Sequence, residues 1–248
     1  MQAIPDSPPP YRTCVFDCDS TLASIEGIDE LAGALRAEIA ALTRGAMAGD
    51  VRLESVYGLR LERIRPTREA VAALGSLYVE RLVPGARELT AALRFLGKRV
   101  CIVSGGLAPA VAALGRALGV EPRDVFAVGI EFASDGSYAG FEQHSPLARA
   151  GGKRELAEQL AREAGAPPLV LVGDGASDLE AAEGGALARF VAYGGVVRRA
   201  EVFARAHAAA DGKDLACLLP LLVSKREMSI LSRSREHEPL CRRASASS

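Results

Sequence analysis

Three short apolar runs in this chain each end at a polar or glycine-rich corner: CVF before Asp17, RVCIV before Ser104-Gly105-Gly106, and LVLV before Gly173-Asp174-Gly175. Apolar runs this short and continuous read as strands buried on both faces, the condition of a parallel sheet. Between them the period is helical. Leu107, Val111, Leu114 and Leu118 recur at spacings of four, three and four, and Leu156 and Leu160 open another amphipathic segment. Strand alternating with helix predicts an α/β fold, a doubly wound and mostly parallel sheet. Ligands of such sheets bind outside the carboxyl ends of the strands, where all three polar corners fall.

From about Leu22 to Val79 the strand signal vanishes. Ile28, Leu31, Leu35, Ile39 and Leu42 keep helical spacing, as do Leu53, Val56, Tyr57, Leu61 and Ile64. Residues 23–79 are therefore expected to form an all-helical cap inserted into a core made of residues 11–22 and 80–223. Arg60 falls on the apolar face of the second helix, four residues after Val56. An inward arginine either meets an anion, in the chain or on a ligand, or snorkels to water, and the pattern leaves both open. Residues 129–141, GIEFASDGSYAGF, read as a hairpin around an Asp-Gly turn, scaffold rather than site. The segments 1–10 and 224–248 are polar with little periodicity and are expected to be disordered.

Composition excludes several functions. With 30 basic and 31 acidic residues the net charge is -1, so no overall field draws the chain to nucleic acid or to an anionic membrane. No apolar segment approaches the ~20 residues of a spanning helix, and the first residues show no leader pattern, so a soluble, cytoplasmic protein is expected. Of five cysteines, Cys14, Cys18 and Cys101 lie in or beside strand-like runs without CxxC spacing, which predicts buried, reduced thiols.

The corners supply the chemistry. If Asp17, Asp19, Asp174 and Asp178 converge, each pair of carboxylates about 4 Å apart repels by roughly 4 kcal/mol at an effective dielectric of 20, so cations are required. An all-oxygen ligand set favours magnesium, and with only His144, His207 and His237, none in these corners, zinc is disfavoured. Ser104 and the glycines behind it offer a hydroxyl and close-approaching backbone N–H groups to phosphate oxygens. Lys153, after Gly151-Gly152, is either a solvated surface lysine or a compact positive charge for the same oxygens. Together these parts describe phosphoryl transfer to or from a small molecule.

DCDST, SGG, GGK and GDGASD, in that order and spacing, resemble the four motifs of the haloacid dehalogenase superfamily of phosphatases. The resemblance spans roughly residues 12–220. EGIDELA, an Ala-Met pair, Arg60 ahead of Pro-Thr-Arg-Glu, VPGARELTAAL and YAGF are similar to the branch acting on phosphoserine. That resemblance implies Asp17 as nucleophile and Asp19 as the acid and then the base. It implies magnesium held by the Asp17 and Asp174 carboxylates and the Asp19 carbonyl, with Asp178 behind them. Ser104, Gly105 and Lys153 would hold the phosphoryl oxygens, while Glu26, Met47, Arg60, Gly106 and Ser177 would surround the amino-acid part. For Arg60 it favours a ligand anion, the substrate carboxylate. A homodimer is compatible with the pattern. Leu53, Ala48 and Ser177 depart from residues usual in that branch. A phosphotransferase passing the group to an alcohol such as homoserine, or a phosphatase for another small ester, shares the same motifs. An aspartyl-phosphate signalling module does not need Asp19.

Overall fold

The computed structural model describes residues 10–39, 41 and 53–246. Met47 and Ala48 lie outside them. Six strands form a parallel sheet in the order β3-β2-β1-β6-β7-β8. They are β1 (Thr13–Phe16), β2 (Arg99–Leu107), β3 (Val125–Val128), β6 (Leu169–Gly173), β7 (Arg189–Tyr193) and β8 (Ala208–Ala210). The three runs that predict strands are β2, β1 and β6, side by side at the centre. β1 pairs with both neighbours in the registers Thr13↔Arg99 and Thr13↔Leu169, which sets the three polar corners next to one another.

Residue alternation divides the core between the two faces. Cys14, Phe16, Val100, Ile102, Val170 and Val172 point to one side, where α4 (Ala86–Phe95) and α5 (Ala108–Ala117) pack. Val15, Cys101, Val103, Leu169 and Leu171 point to the other, against α6 (Gly152–Arg162), α7 (Ala176–Glu183) and α8 (Ala200–Arg205). Both faces are covered, so the central strands are buried at nearly every position, as continuous apolar runs demand. Cys14, Cys18 and Cys101 are buried free thiols.

Between β1 and β2 the described residues form helices: α1 (Gly27–Ala32), α2 (Leu53–Ile64) and α3 (Arg68–Glu80). α3 starts on the Thr67 side chain, which accepts a hydrogen bond from the Ala70 N–H. It lies on α5 so closely that a Cβ on Gly75 would stand 3.0 Å from the Ala113 Cβ. Residues 129–141 make the expected hairpin, β4 (Ile130–Phe132) against β5 (Tyr138–Phe141), closed at Asp135-Gly136 with Gly136 at φ 85°. Its Phe141 ring lies 5.4 Å from that of Tyr57, so the hairpin buttresses α2. Among the described residues no helix is long and apolar enough to cross a membrane.

The segment beyond Ser224 departs from the expected disorder. It carries α10 (Lys225–Arg233) and α11 (Glu238–Ala246), which follow the short α9 (Leu219–Leu222). A capping box opens α10: Ser224 Oγ accepts from the Glu227 N–H, and Glu227 Oε2 accepts from the Ser224 N–H at 2.7 Å. Leu231, Leu240, Cys241 and Ala244 are buried against the sheet side of the core. The decisive partner is remote in sequence. The Lys98 ammonium, 3% exposed, meets Glu227 Oε1 at 2.6 Å and donates to the Tyr11 carbonyl at 2.7 Å.

Removing the carboxylate would leave a buried ammonium on a single carbonyl, so Glu227→Ala should cost about 3 kcal/mol in urea unfolding. Burial alone would push the Glu227 carboxyl up, but the bonds from Lys98 and Ser224 outweigh it and hold it below its ordinary 4.5. A depressed folded value gives stability that is fully present above 4.5 and is lost as pH falls through the folded value. The stability gap between wild type and Glu227→Gln should accordingly close on acidification below that point.

Candidate active site

The site begins where β1 stops. The Asp17 N–H still donates to the Val172 carbonyl at 2.9 Å, extending the β1–β6 ladder by one residue. The chain then turns sharply: the Cys18 carbonyl accepts from the N–H groups of Leu22 and Ala23, each at 3.0 Å, and Ser20 sits at φ 52°. This turn separates two side chains that strand alternation would send the same way. Asp17 faces Lys153 and Asp178. Asp19 instead accepts on Oδ1 from the Gly27 N–H at 2.7 Å and from the Tyr78 hydroxyl at 2.6 Å.

Lys153 joins two corners. Its Nζ lies 2.7 Å from Asp17 Oδ1 and 2.8 Å from Asp178 Oδ1, and its side chain is only 10% exposed, which rules out the solvated surface lysine. Asp178, in the first turn of α7, also accepts from the Gly175 N–H at 3.0 Å. Glycine is required at two points of this scaffold. A Cβ on Gly173 would collide with the Asp178 carboxyl, and one on Gly152 would fall inside the Pro146 carbonyl. Glu180, also on α7, accepts from the Gly151 N–H at 3.1 Å and fixes the turn that aims Lys153.

Oxygens of Asp17, Asp174 and Asp178 lie within 4.8 Å of one another. This buried, oxygen-only set suits a hard divalent cation. Burial pushes the Asp17 carboxyl well up, Lys153 pulls it down, and Asp178 and Asp19 add to the rise. Asp19 is likewise raised by burial, against the bonds from Tyr78 and Gly27 that favour its charged form. Burial works to lower Lys153, yet its two carboxylates hold the ammonium above its ordinary range. The two aspartates of the first corner are thus unlike: Asp17 is paired with a cation, Asp19 with neutral donors.

Two adjoining cavities open here. The smaller, about 230 Å³, is lined by Asp17, Asp19, Lys153, Asp174 and Arg199. The larger, about 530 Å³, lies under α1 and α2 and is lined by Glu26, Tyr57, Arg60, Gly106 and Ser177 among others. Asp19, Glu26, Gly105 and Ser177 belong to both walls. Arg60 reaches the larger cavity while its NH2 group pairs with Asp29 Oδ1 at 2.8 Å, and its Nε has no hydrogen-bond partner among the described residues. Ser104 is fully buried beneath Gly105. Its hydroxyl donates to Asp19 Oδ2 at 3.3 Å and accepts from the Gly106 N–H at 2.9 Å.

Four participants escape the sequence reading. Tyr78 sits at core spacing, four after Leu74, and its apolar setting hides the hydroxyl that reaches Asp19. Tyr57 matches the apolar face of α2, yet its hydroxyl donates to the Gly105 carbonyl at 2.8 Å. Thr21 donates to Asp174 Oδ1 at 3.4 Å across 153 residues. Arg199, in a VVRRAE stretch without motif spacing, puts Nε 3.0 Å from Asp174 Oδ2 and NH2 3.7 Å from Glu26 Oε1.

The family model for haloacid dehalogenase-like hydrolases matches residues 14–183, and the chain belongs to that family. The phosphoserine phosphatase of Bos taurus is 37% identical over 189 residues, which make up 75% of this chain and 83% of that one. Among solved structures, a phosphoserine phosphohydrolase-like protein of Francisella tularensis superposes with a TM-score of 0.73 at 25% identity, covering 86% of this chain and 100% of that one. An aspartyl-phosphate intermediate analogue of phosphoserine phosphatase superposes with a TM-score of 0.69 at 27% identity, covering 87% and 100%.

The Pro146 carbonyl is backbone and cannot yield as a side chain would. Gly152→Ala should therefore lower the melting temperature by several degrees and, by displacing Lys153, cut turnover of a phosphate ester about tenfold or more.

Proposed function

We propose that the protein is a magnesium-dependent phosphatase that hydrolyses O-phosphoserine to serine and phosphate through an aspartyl-phosphate. The observation that carries this reading is that the two cavities share a wall containing Asp19, Glu26, Gly105 and Ser177. A corner with one cation-paired and one neutral-partnered aspartate adjoins a chamber lined by both a carboxylate, Glu26, and a guanidinium, Arg60. An amino acid carries the two complementary charges. The described helices α1, α2 and α3 would act as the cap that brings Glu26 and Arg60 over the core.

In the first half-reaction an Asp17 oxygen attacks phosphorus, the bond to the serine oxygen breaks, and Asp19 gives that oxygen its proton. In the second, Asp19 takes a proton from water, the hydroxide attacks phosphorus, and the acyl phosphate P–O bond breaks to restore Asp17. Lys153, the Ser104 hydroxyl and the Gly105 backbone would stabilise the charge spread over the phosphoryl oxygens, Ser104 also touching Asp19 Oδ2 at 3.3 Å. Magnesium, held by the carboxylates of Asp17 and Asp174 with the Asp19 carbonyl, would neutralise charge between nucleophile and phosphoryl group. Asp178 keeps Lys153 in line, and Ser177 lines both cavities. Glu26 would receive the ammonium and Arg60 the carboxylate, with Gly106 shaping the amino-acid end.

Asp17→Asn should abolish release of free phosphate. Arg60→Ala should lower kcat/KM for phosphoserine about a hundredfold while changing that for an aryl phosphate only a few-fold. Equal losses on both esters would leave the phosphatase but remove the substrate. The acid role of Asp19 gives a separate check. Its raised carboxyl should place the basic limb of kcat/KM above the ordinary carboxylate range. Tyr78→Phe removes a bond that favours the charged form, so this limb should move to higher pH. A limb that stays or moves down would count against Asp19 as the acid.

A further inference from the structure

Two cations touch the acidic cluster, and they are held very differently. Lys153 is 10% exposed, gripped by two carboxylates, and anchored by the Gly151-Gly152 turn. Arg199 is 45% exposed and stands at the end of the loop after β7, just ahead of α8. It reaches in only through its guanidinium, Nε on Asp174 Oδ2 at 3.0 Å and NH2 near Glu26 Oε1 at 3.7 Å. One cation is built in, and the other can swing out.

The charges separate their roles. Three buried carboxylates, Asp17, Asp174 and Asp178, against the Lys153 ammonium leave two negative charges, which one divalent cation balances. Arg199 is a surplus charge once that ion is present. It also occupies the ligand itself. Asp174 has both oxygens engaged, Oδ1 by the Thr21 hydroxyl and Oδ2 by Arg199, and its side chain is 3% exposed, with little freedom to present another face. A hydroxyl can stay beside a metal-bound carboxylate, because it carries no charge. A guanidinium at 3.0 Å adds like-charge repulsion to a cation on the same group.

We infer that Arg199 and the divalent cation compete for the Asp174 carboxylate, so that Arg199 sets a lower metal affinity than the acidic cluster alone would have. Glu26, already within 3.7 Å, is the partner that keeps the guanidinium at the cavity wall when Asp174 is taken. This rests on the reading that Asp174 helps to hold the metal. Arg199 is accordingly a positioning residue for Asp174 and plays no part in bond making.

The test is calorimetric titration of magnesium chloride into the full-length protein without substrate. Arg199→Gln, which keeps a hydrogen-bonding side chain but not the charge, should bind Mg2+ roughly two- to fivefold more tightly than wild type, the worth of a partly exposed ion pair. Arg199→Lys, which restores the charge, should return the affinity most of the way to wild type. Melting temperatures taken with and without Mg2+ should show the Gln variant gaining more from the ion than wild type does, which also reports that it is folded. Unchanged or weaker Mg2+ binding in Arg199→Gln overturns the competition, and weaker binding would mean that Arg199 supports the site. If wild type and both variants give no binding heat and no Mg2+-dependent melting shift, the metal reading of the cluster itself falls.

Discussion

The Lys153 ammonium between Asp17 and Asp178 is the contact on which the rest of the site depends. Carboxylates this close are costly to bury, and only a cation fixed among them makes the arrangement tolerable. Each partner comes from a different central feature: Asp17 from the end of β1, Asp178 from the first turn of α7, and Lys153 from the turn into α6. The ion pairs therefore tie this edge of the sheet to two of the three helices that cover one of its faces. The glycines at 152 and 173 exist at this junction because the backbone and the Asp178 carboxyl leave no volume for a side chain.

The geometry follows from a single property of parallel sheets. Adjacent strands end on the same edge, so corners separated by tens of residues in the chain meet within one cluster. β1 lies between β2 and β6, which puts Ser104 on one side of the first corner and Asp174 on the other. The turn after Asp17 then sends Asp19 toward Tyr78 and the helical insertion, away from Lys153. The same stretch thus supplies one carboxylate to an ionic cluster and another to a neutral hydrogen-bonded pocket, and burial raises both carboxyls against different opposing partners.

The central strands, both faces of the core and the hairpin at 129–141 were legible because each leaves a local trace: a run of β-branched residues, a helical period, an Asp-Gly turn. The acidic corners were legible because a charge at the end of an apolar strand has no structural use of its own. The C-terminal helices were not. Their composition is polar, and what orders them is the buried Lys98, more than a hundred residues upstream, which needs Glu227. A capping signature, Ser224 three residues before Glu227, was the one local clue.

By itself the sequence determined the alternation of strand and helix, the acidic corners and hence the class of chemistry, since these depend on residue type and near-neighbour spacing. Only the tertiary structure decided which side chains serve that chemistry and how. It turned Asp17 and Asp19 apart, buried Lys153 as a bridging cation, and brought in Tyr78, Thr21 and Arg199, each with partners at least 25 residues away. The physical reason is that charge and hydrogen bonding act over a few ångströms of space whatever the separation along the chain.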